Sequence, residues 1–291
     1  MAELDGRAKL TRRLMDFVAN GKGEEVHIQK RDKRISYSGS SILTSGAPIS
    51  GDFRLLLKHL IGVEAFSDTD FRWVNLRSIV SRYLTNGTVL DAGSGTGHVS
   101  LLAAKTAEEV LSIDISKALT LGMKVGKGKL SNIHIIRMDA THLGFEPGKL
   151  DCVLCIDLLE HLADDVAFIG EAFRVLKSGG KLIIVAPAIT GIYGRRDLKL
   201  GHFRRYEGPE LKSIVRGLGF TIRLVRYWNT IGFFAYLFYE KILRREIYEE
   251  MRYSRHGLQR GLNRALSALL CLENYVAFPI GLSIILVAEK N

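Results

Sequence analysis

Cysteine and proline are scarce in this chain of 291 residues, at 3 and 5, and no apolar run approaches the roughly 20 residues that a membrane-spanning helix needs. The longest apolar stretches, 230–239 and 279–288, are ten residues each. An ordinary integral membrane protein is therefore excluded. Three cysteines are too few for a disulfide framework in a chain of this length, and a reducing compartment is the expected setting. The opening residues, MAELDGRAKLTRRLMDF, mix charges of both signs and lack the apolar core of a secretory leader, so cytoplasmic residence is expected. What is present is globular in character: 47% hydrophobic and 25% charged residues can bury a core, and neither disorder nor a collagen-like repeat fits.

Charge is unevenly placed. Of a net +10, a net +6 falls between Arg195 and Arg226, where nine Lys or Arg face Asp197, Glu207 and Glu210. Such a segment attracts something anionic, a phospholipid surface, a phosphorylated substrate or nucleic acid, or it is a solvated basic face.

From Gly87 onward, strand-like apolar runs alternate with amphipathic stretches. Residues 88–92 (TVLDA), 109–114 (EVLSID), 133–138 (IHIIRM), 151–156 (DCVLCI) and 181–186 (KLIIVA) read as strands, and 99–107 and 164–176 as helices. That alternation predicts a parallel sheet covered on both faces. Two further strand-like runs, 220–228 and 281–288, are separated by about fifty residues, so a closing pair of strands is interrupted by an insertion. The insertion, 229–278, opens with IGFFAYLFYEKIL and continues to LNRALSALLCLENYVAF. It reads as helices rich in apolar surface, either packed on the sheet or forming a lid or a membrane-facing surface. Residues 1–70 form an extension of unclear role, with helices expected at 11–19 and 53–61 and a loop or hairpin at YSGSSILTSGAP. The core is expected to comprise 71–228 and 279–291. Cys152 and Cys155 form C-x-x-C, but inside a strand they face opposite ways and read as buried residues rather than a metal pair.

The residues with the clearest chemistry run from Val89 to Gly97, VLDAGSGTG, an apolar strand ending in an acid and entering a glycine-spaced turn. Glycines let backbone turn tightly and approach a ligand at the carboxyl edge of a sheet. The spacing G-x-G-x-G, preceded by Asp91, differs from the dinucleotide pattern G-x-G-x-x-G, and an acid there suits a ligand with an ammonium group better than a pyrophosphate. Asp114 closes the next strand, where an acid can accept from both hydroxyls of a ribose. Asp139 and Ala140 close the third, where an adenine amine can be met.

With VLDAGSGTG, SIDIS, RMDAT, LDCVLCIDLLEHL and VLKSGGKLIIVAP in this order, residues 87–187 resemble a class I S-adenosylmethionine-dependent methyltransferase. The resemblance implies an α/β, Rossmann-like seven-stranded sheet, mostly parallel with an antiparallel last strand and helices on both faces. It implies S-adenosyl-L-methionine as cofactor, with Asp91, Gly93, Ser94, Gly95 and Gly97 around its methionine and ribose, Asp114 with Ile115 at the ribose, Asp139 and Ala140 at the adenine, and Asp157 facing the methyl group. The segment GHFRRYEGPELKSIVRGLGF and the tail LENYVAFPIGLSIILVAEK are similar to a UbiE/UbiG-like branch with a G-H-x-R-R-Y segment, whose members act on small molecules such as quinones, lipids or sugars.

For transfer to a hydroxyl, a base or a metal must take or acidify its proton. His161, His202 and Tyr206 are the catalytic candidates, and Arg204, Arg205, Tyr206, Trp228 and Phe233 the candidates for holding an acceptor. Asp157, Glu160 and His161 fall at i, i+3 and i+4, one face if helical, and His202 could complete the set. The arrangement resembles the E-x-x-E-H metal sets of some quinone-precursor and small-RNA methyltransferases, which implies a divalent metal. The other reading is that Glu160 and His161 brace the turn. The expected acceptor is a small, apolar or lipid-like molecule, with an anionic membrane surface as partner and no obligate protein partner. Nucleic-acid methylation is the competing reading, disfavoured by the absence of an N-P-P-Y-type segment and of an RNA-binding module. A cofactor-binding protein without catalysis is the third.

Overall fold

The computed structural model describes residues 26–30, 33–37, 71–116, 130–243 and 257–291. The chain divides into two compact units, Met1–Gly62 and Val63–Asn291. In the first, β1 (Val26–Lys30) and β2 (Lys33–Tyr37) pair antiparallel, with Val26 opposite Tyr37 and Ile28 opposite Ile35. The expected helices at 11–19 and 53–61 lie outside the described residues.

The second unit begins with α1 (Phe71–Ser81) and continues through β3 (Thr88–Ala92), α2 (His98–Ala103), β4 (Glu109–Asp114), β5 (Ile133–Arg137) and β6 (Leu150–Ile156). A 3-10 turn at Leu159–His161 then leads to α3 (Asp165–Val175), β7 (Leu176–Pro187), α4 (Arg195–Leu200), α5 (Gly208–Gly217) and β8 (Phe220–Trp228). The insertion supplies α6 (Thr230–Tyr236), a π-helical turn Leu237–Ile242 and α7 (Gly257–Glu273), and β9 (Ser283–Lys290) ends the chain. The strands form one seven-stranded sheet in the order β5-β4-β3-β6-β7-β9-β8. The pairs from β5 to β7 are parallel, and β9 runs antiparallel to both neighbours. This is the Rossmann-like methyltransferase fold the sequence implied. The chain order reverses between β3 and β6, which opens a crevice at their carboxyl ends, where open α/β sheets bind ligands.

Alternation along the central strands sorts their side chains onto two faces. Leu90, Ala92, Val153, Cys155, Leu182 and Ile184 face one core with Phe168 and Ile169 of α3 and Leu211 of α5. Val89, Cys152, Leu154, Ile183 and Val185 face the other, with Leu76, Ile79 and Val80 of α1 and Leu270 of α7. Cys152 and Cys155 thus point to opposite faces, both free and buried, and burial pushes the Cys152 thiol up to about 12. Neither can join the other in a metal site. The insertion is bound down by polar contacts as well: the Asn75 amide donates to the Ser267 carbonyl at 3.2 Å, and the Arg226 guanidinium of β8 donates to the Asn274 carbonyl at 3.2 Å. Among the described residues, no helix is long and apolar enough to cross a membrane.

Candidate active site

The turn after β3 takes left-handed backbone at each of its glycines, with φ of 68° at Gly93, 53° at Gly95 and 87° at Gly97. Other residues rarely adopt this region. At Gly93 space is also short, since a Cβ would lie 2.7 Å from Leu158 Cδ1. At Gly95 the nearest atom to an added Cβ is 3.9 Å away, so backbone is open to a ligand there. The turn is held by the Ser94 N–H on the Ile113 carbonyl (2.9 Å) and the Gly97 N–H on the Ser94 carbonyl (2.8 Å). Asp114 joins the two strand ends: Oδ2 accepts from the Gly95 N–H at 2.9 Å and Oδ1 from the Ser116 N–H at 2.8 Å. A carboxylate has about four acceptor positions, so this bracing leaves capacity for two ribose hydroxyls.

Beside Asp114, the apolar side chain of Ile115 is 64% exposed. Asp139, at the end of the strand beyond, is exposed, and its Oδ1 accepts from the N–H and hydroxyl of Thr141. Those bonds hold its carboxyl below the usual range. Ala140 beside it is buried. The Ser94 hydroxyl is buried without a hydrogen-bond partner, a position that a polar ligand in the turn would satisfy. These residues fit an adenosyl amino acid.

Asp91 departs from its expected role. It is 1% exposed, and its Oδ2 accepts from the Ser100 hydroxyl of α2, which also bonds Ser112. Burial pushes the carboxyl up to about 7, with the Asp114 charge adding to the effect. The side chain anchors the helix behind the turn.

At the end of β6 the backbone bends sharply: Asp157 has φ 51°, with its N–H on the Val185 carbonyl at 2.8 Å. Its carboxylate is gripped by both terminal nitrogens of Arg72, at 2.9 and 3.0 Å, and the same guanidinium lies 5.9 Å from the Trp228 ring centroid. Nothing in the sequence marked Arg72, which stands 85 residues away on α1.

Glu160, in the 3-10 turn that follows, is 1% exposed. Burial, reinforced by the Asp157 charge, raises its carboxyl well above the ordinary range, and its Oε2 has no partner. Its backbone carbonyl accepts from the Phe203 N–H at 2.7 Å, which ties the turn to the loop after α4. From that loop, His202 Nδ1 lies 3.0 Å from Asp197 Oδ1 and Nε2 lies 4.0 Å from Glu160 Oε1. Burial alone would raise Asp197, but hydrogen bonds from His202 and Arg205 outweigh it and hold the acid at about 2. An ionised acid can only accept, so Nδ1 donates to Asp197 and Nε2 is the ring nitrogen turned toward Glu160. The His161 ring meets His202 edge-on at 4.7 Å, and burial followed by the His202 charge lowers it. The Glu160, His161 and His202 ligand atoms lie within 4.8 Å of one another.

Several expected roles change. The proposed four-residue set is broken, because the backbone bend at Asp157 sends its carboxylate to Arg72 and no single helical face carries it with Glu160 and His161. Tyr206 is wholly buried, its hydroxyl donating to Asp165 Oδ2 at 2.7 Å with the Leu159 carbonyl 3.2 Å away, so it cannot reach an acceptor. Arg205, also buried, donates to Asp197 Oδ2 at 3.0 Å and to the Ala188 carbonyl at 3.1 Å. Arg204 is engaged with Asp165 Oδ1 at 2.7 Å and the Ala163 carbonyl at 2.8 Å. Trp228 is fully buried in the core and cannot touch a substrate. Phe233 is half-buried on α6, its ring edge-on to Phe234. The sequence also left Asp197 unassigned, although an acid five residues before the histidine of G-H-x-R-R-Y, and seven and eight before its arginines, was a signal for an internal ion cluster.

Comparison with known proteins agrees with this geometry. Residues 90–184 match the family model described as a methyltransferase domain. A Mycolicibacterium smegmatis protein named as a probable S-adenosylmethionine-dependent methyltransferase is 28% identical over 148 residues, 50% of this chain and 54% of that protein. A ubiquinone biosynthesis O-methyltransferase of Xanthomonas oryzae is 33% identical over 106 residues, 35% of this chain and 43% of that protein. The chain thus spans about half the length of the curated relatives it matches. Among solved structures, an S-adenosylmethionine-dependent methyltransferase from Mesorhizobium loti superposes with a TM-score of 0.53 at 14% identity, over 77% of this chain and 99% of that one. Residues 90–184 are thus similar to a methyltransferase domain, and they lie within a fold shared with S-adenosylmethionine-dependent methyltransferases.

Proposed function

We propose that the protein transfers a methyl group, in line, from S-adenosyl-L-methionine to a small, apolar or lipid-like acceptor. The observation that carries this is the contact of Leu158 with Gly93, which sets the turn that fits the cofactor directly against the segment bearing Glu160, His161 and, through Phe203, His202. When bound, the sulfonium supplies an activated methyl, so the chain need only hold, orient and dehydrate the partners. The turn from Gly93 to Gly97 with Asp114, Ile115, Asp139 and Ala140 holds the adenosyl amino acid. Arg72 fixes Asp157, and His202, oriented by Asp197, offers Nε2 to the proton of an acceptor hydroxyl. The name of the Xanthomonas relative supports a small-molecule acceptor. A divalent metal on Glu160, His161 and His202 is a second reading, favoured by the unpartnered Glu160 Oε2.

Calorimetric titration with S-adenosylmethionine and its demethylated product should show binding that Asp114→Ala weakens at least about tenfold, or about 1.4 kcal/mol. Methyl-labelled cofactor should then mark the lipid or small-molecule fraction of an extract. Label in nucleic acid would establish the RNA reading, and binding with no label in any fraction a non-catalytic protein. Loss of transfer on chelation, restored by added metal, would favour the metal reading.

A further inference from the structure

We propose that α4, the loop after it and the exposed aromatics of the insertion form a face that docks on an anionic phospholipid bilayer. Within six positions, Leu198, Leu200 and Phe203 are 67%, 46% and 59% exposed, large apolar side chains that the core does not take up. Arg195 and Lys199 are exposed on the same segment. The acid among residues 195–204, Asp197, is fully buried, so the outward charge is cationic. Apolar side chains interleaved with cations match a bilayer interface with anionic headgroups: burial of the former drives binding, and attraction to the latter adds to it. A nucleic acid would use the cations and leave the aliphatic side chains in water.

The segment is rigidly backed. Asp197 accepts from the Gly194 N–H at 2.9 Å, from Arg205 at 2.9 and 3.0 Å, and from His202 at 3.0 Å, which fixes the inner side of α4 and turns Leu198 outward. The same anchor draws in the insertion. Buried Tyr236 places its hydroxyl 3.4 Å from Asp197 Oδ2 and its ring 4.9 Å from the Arg205 guanidinium, so α6 lies alongside α4. Phe234 and Phe238, on either side of Tyr236 in sequence, are 56% and 49% exposed.

His202 sits between Leu200 and Phe203 with its ring turned inward toward Glu160. A docked face would therefore border the acceptor end of the site, and an amphiphile could enter from the bilayer without crossing water. Docking itself does not depend on methyl transfer. Its consequence for the acceptor rests on the function proposed above.

The test is sedimentation of the full chain with vesicles of roughly one-third phosphatidylglycerol in phosphatidylcholine, and with phosphatidylcholine alone, at about 50 mM and about 0.5 M salt. Binding to the anionic vesicles at low salt, weakened several-fold by salt or by omission of phosphatidylglycerol, is expected. The double variant Leu198→Ser and Phe203→Ser should lower partitioning by at least about tenfold, as loss of two buried apolar side chains requires. Its melting temperature and calorimetric cofactor affinity should not change. Lys199→Glu should weaken binding to anionic vesicles alone. A chain that stays in the supernatant, or a double variant that sediments like the parent, overturns the proposal. So does a stable dimer, seen by analytical ultracentrifugation, that the double variant dissociates. These results leave methyl transfer to a soluble acceptor standing, whereas failure of cofactor binding leaves the docking face standing.

Discussion

Asp91→Asn separates an anchoring role for this acid from direct contact with a ligand. The native carboxyl is raised from an ordinary 3.8 to about 7 because it is buried. Between those values the native state holds a proton that the unfolded chain has released, so stability must fall as pH rises. The contribution is complete below 3.8 and is lost as pH passes through about 7. A displacement of about 3 in pKa, at about 1.4 kcal/mol each, gives a loss of about 4 kcal/mol between pH 4 and pH 8. The amide keeps an oxygen for the Ser100 hydroxyl but cannot ionise, so the variant should lack this part of the pH dependence. Urea denaturation followed by circular dichroism at pH 5 and pH 8, with equal m-values, measures it. The variant should exceed the parent in stability by a few kcal/mol at pH 8, with the gap narrowing toward pH 5. Parallel pH profiles, or a parent that is the more stable at pH 8, would refute the reasoning and return the ionised carboxylate to the ligand side of the turn.

Gly93→Ala combines a left-handed backbone with a Cβ 2.7 Å from Leu158. It should displace the turn and weaken cofactor binding at least about tenfold by calorimetry; an unchanged affinity would mean that the turn is not the cradle. Tyr206→Phe removes a hydroxyl that donates to Asp165 beside the Leu159 carbonyl. It should lower stability by about 1–2 kcal/mol and leave turnover per folded molecule unaltered. A large fall in turnover at unchanged stability would restore Tyr206 to the chemistry.

Much of the fold was legible because its signals are local. Runs such as LDCVLCI are buried on both faces and so are continuously apolar, which marks them as central parallel strands. The glycine turn was legible for the same reason, since left-handed backbone admits few residue types. The pairing of β1 with β2 was overlooked although VHIQK and KRISY alternate around two polar residues, a period-two signal hidden in a charged stretch. The limits of helices shifted for a physical reason too: α2 ends at Ala103 instead of continuing to 107, and the chain turns there to bring Ala107 into the core.

The sequence by itself determined the succession of strands in the core, the glycine turn and the identity of the acids at the strand ends, because periodicity and backbone permissiveness act between near neighbours. The tertiary structure decided which polar side chains face inward. Asp91 turns to Ser100, Tyr206 and Arg205 turn into the core, and Asp157 is claimed by Arg72 from a distant helix. In each case a buried charge or hydroxyl must find a partner, and that partner is chosen by packing across the sheet, which no spacing along the chain records.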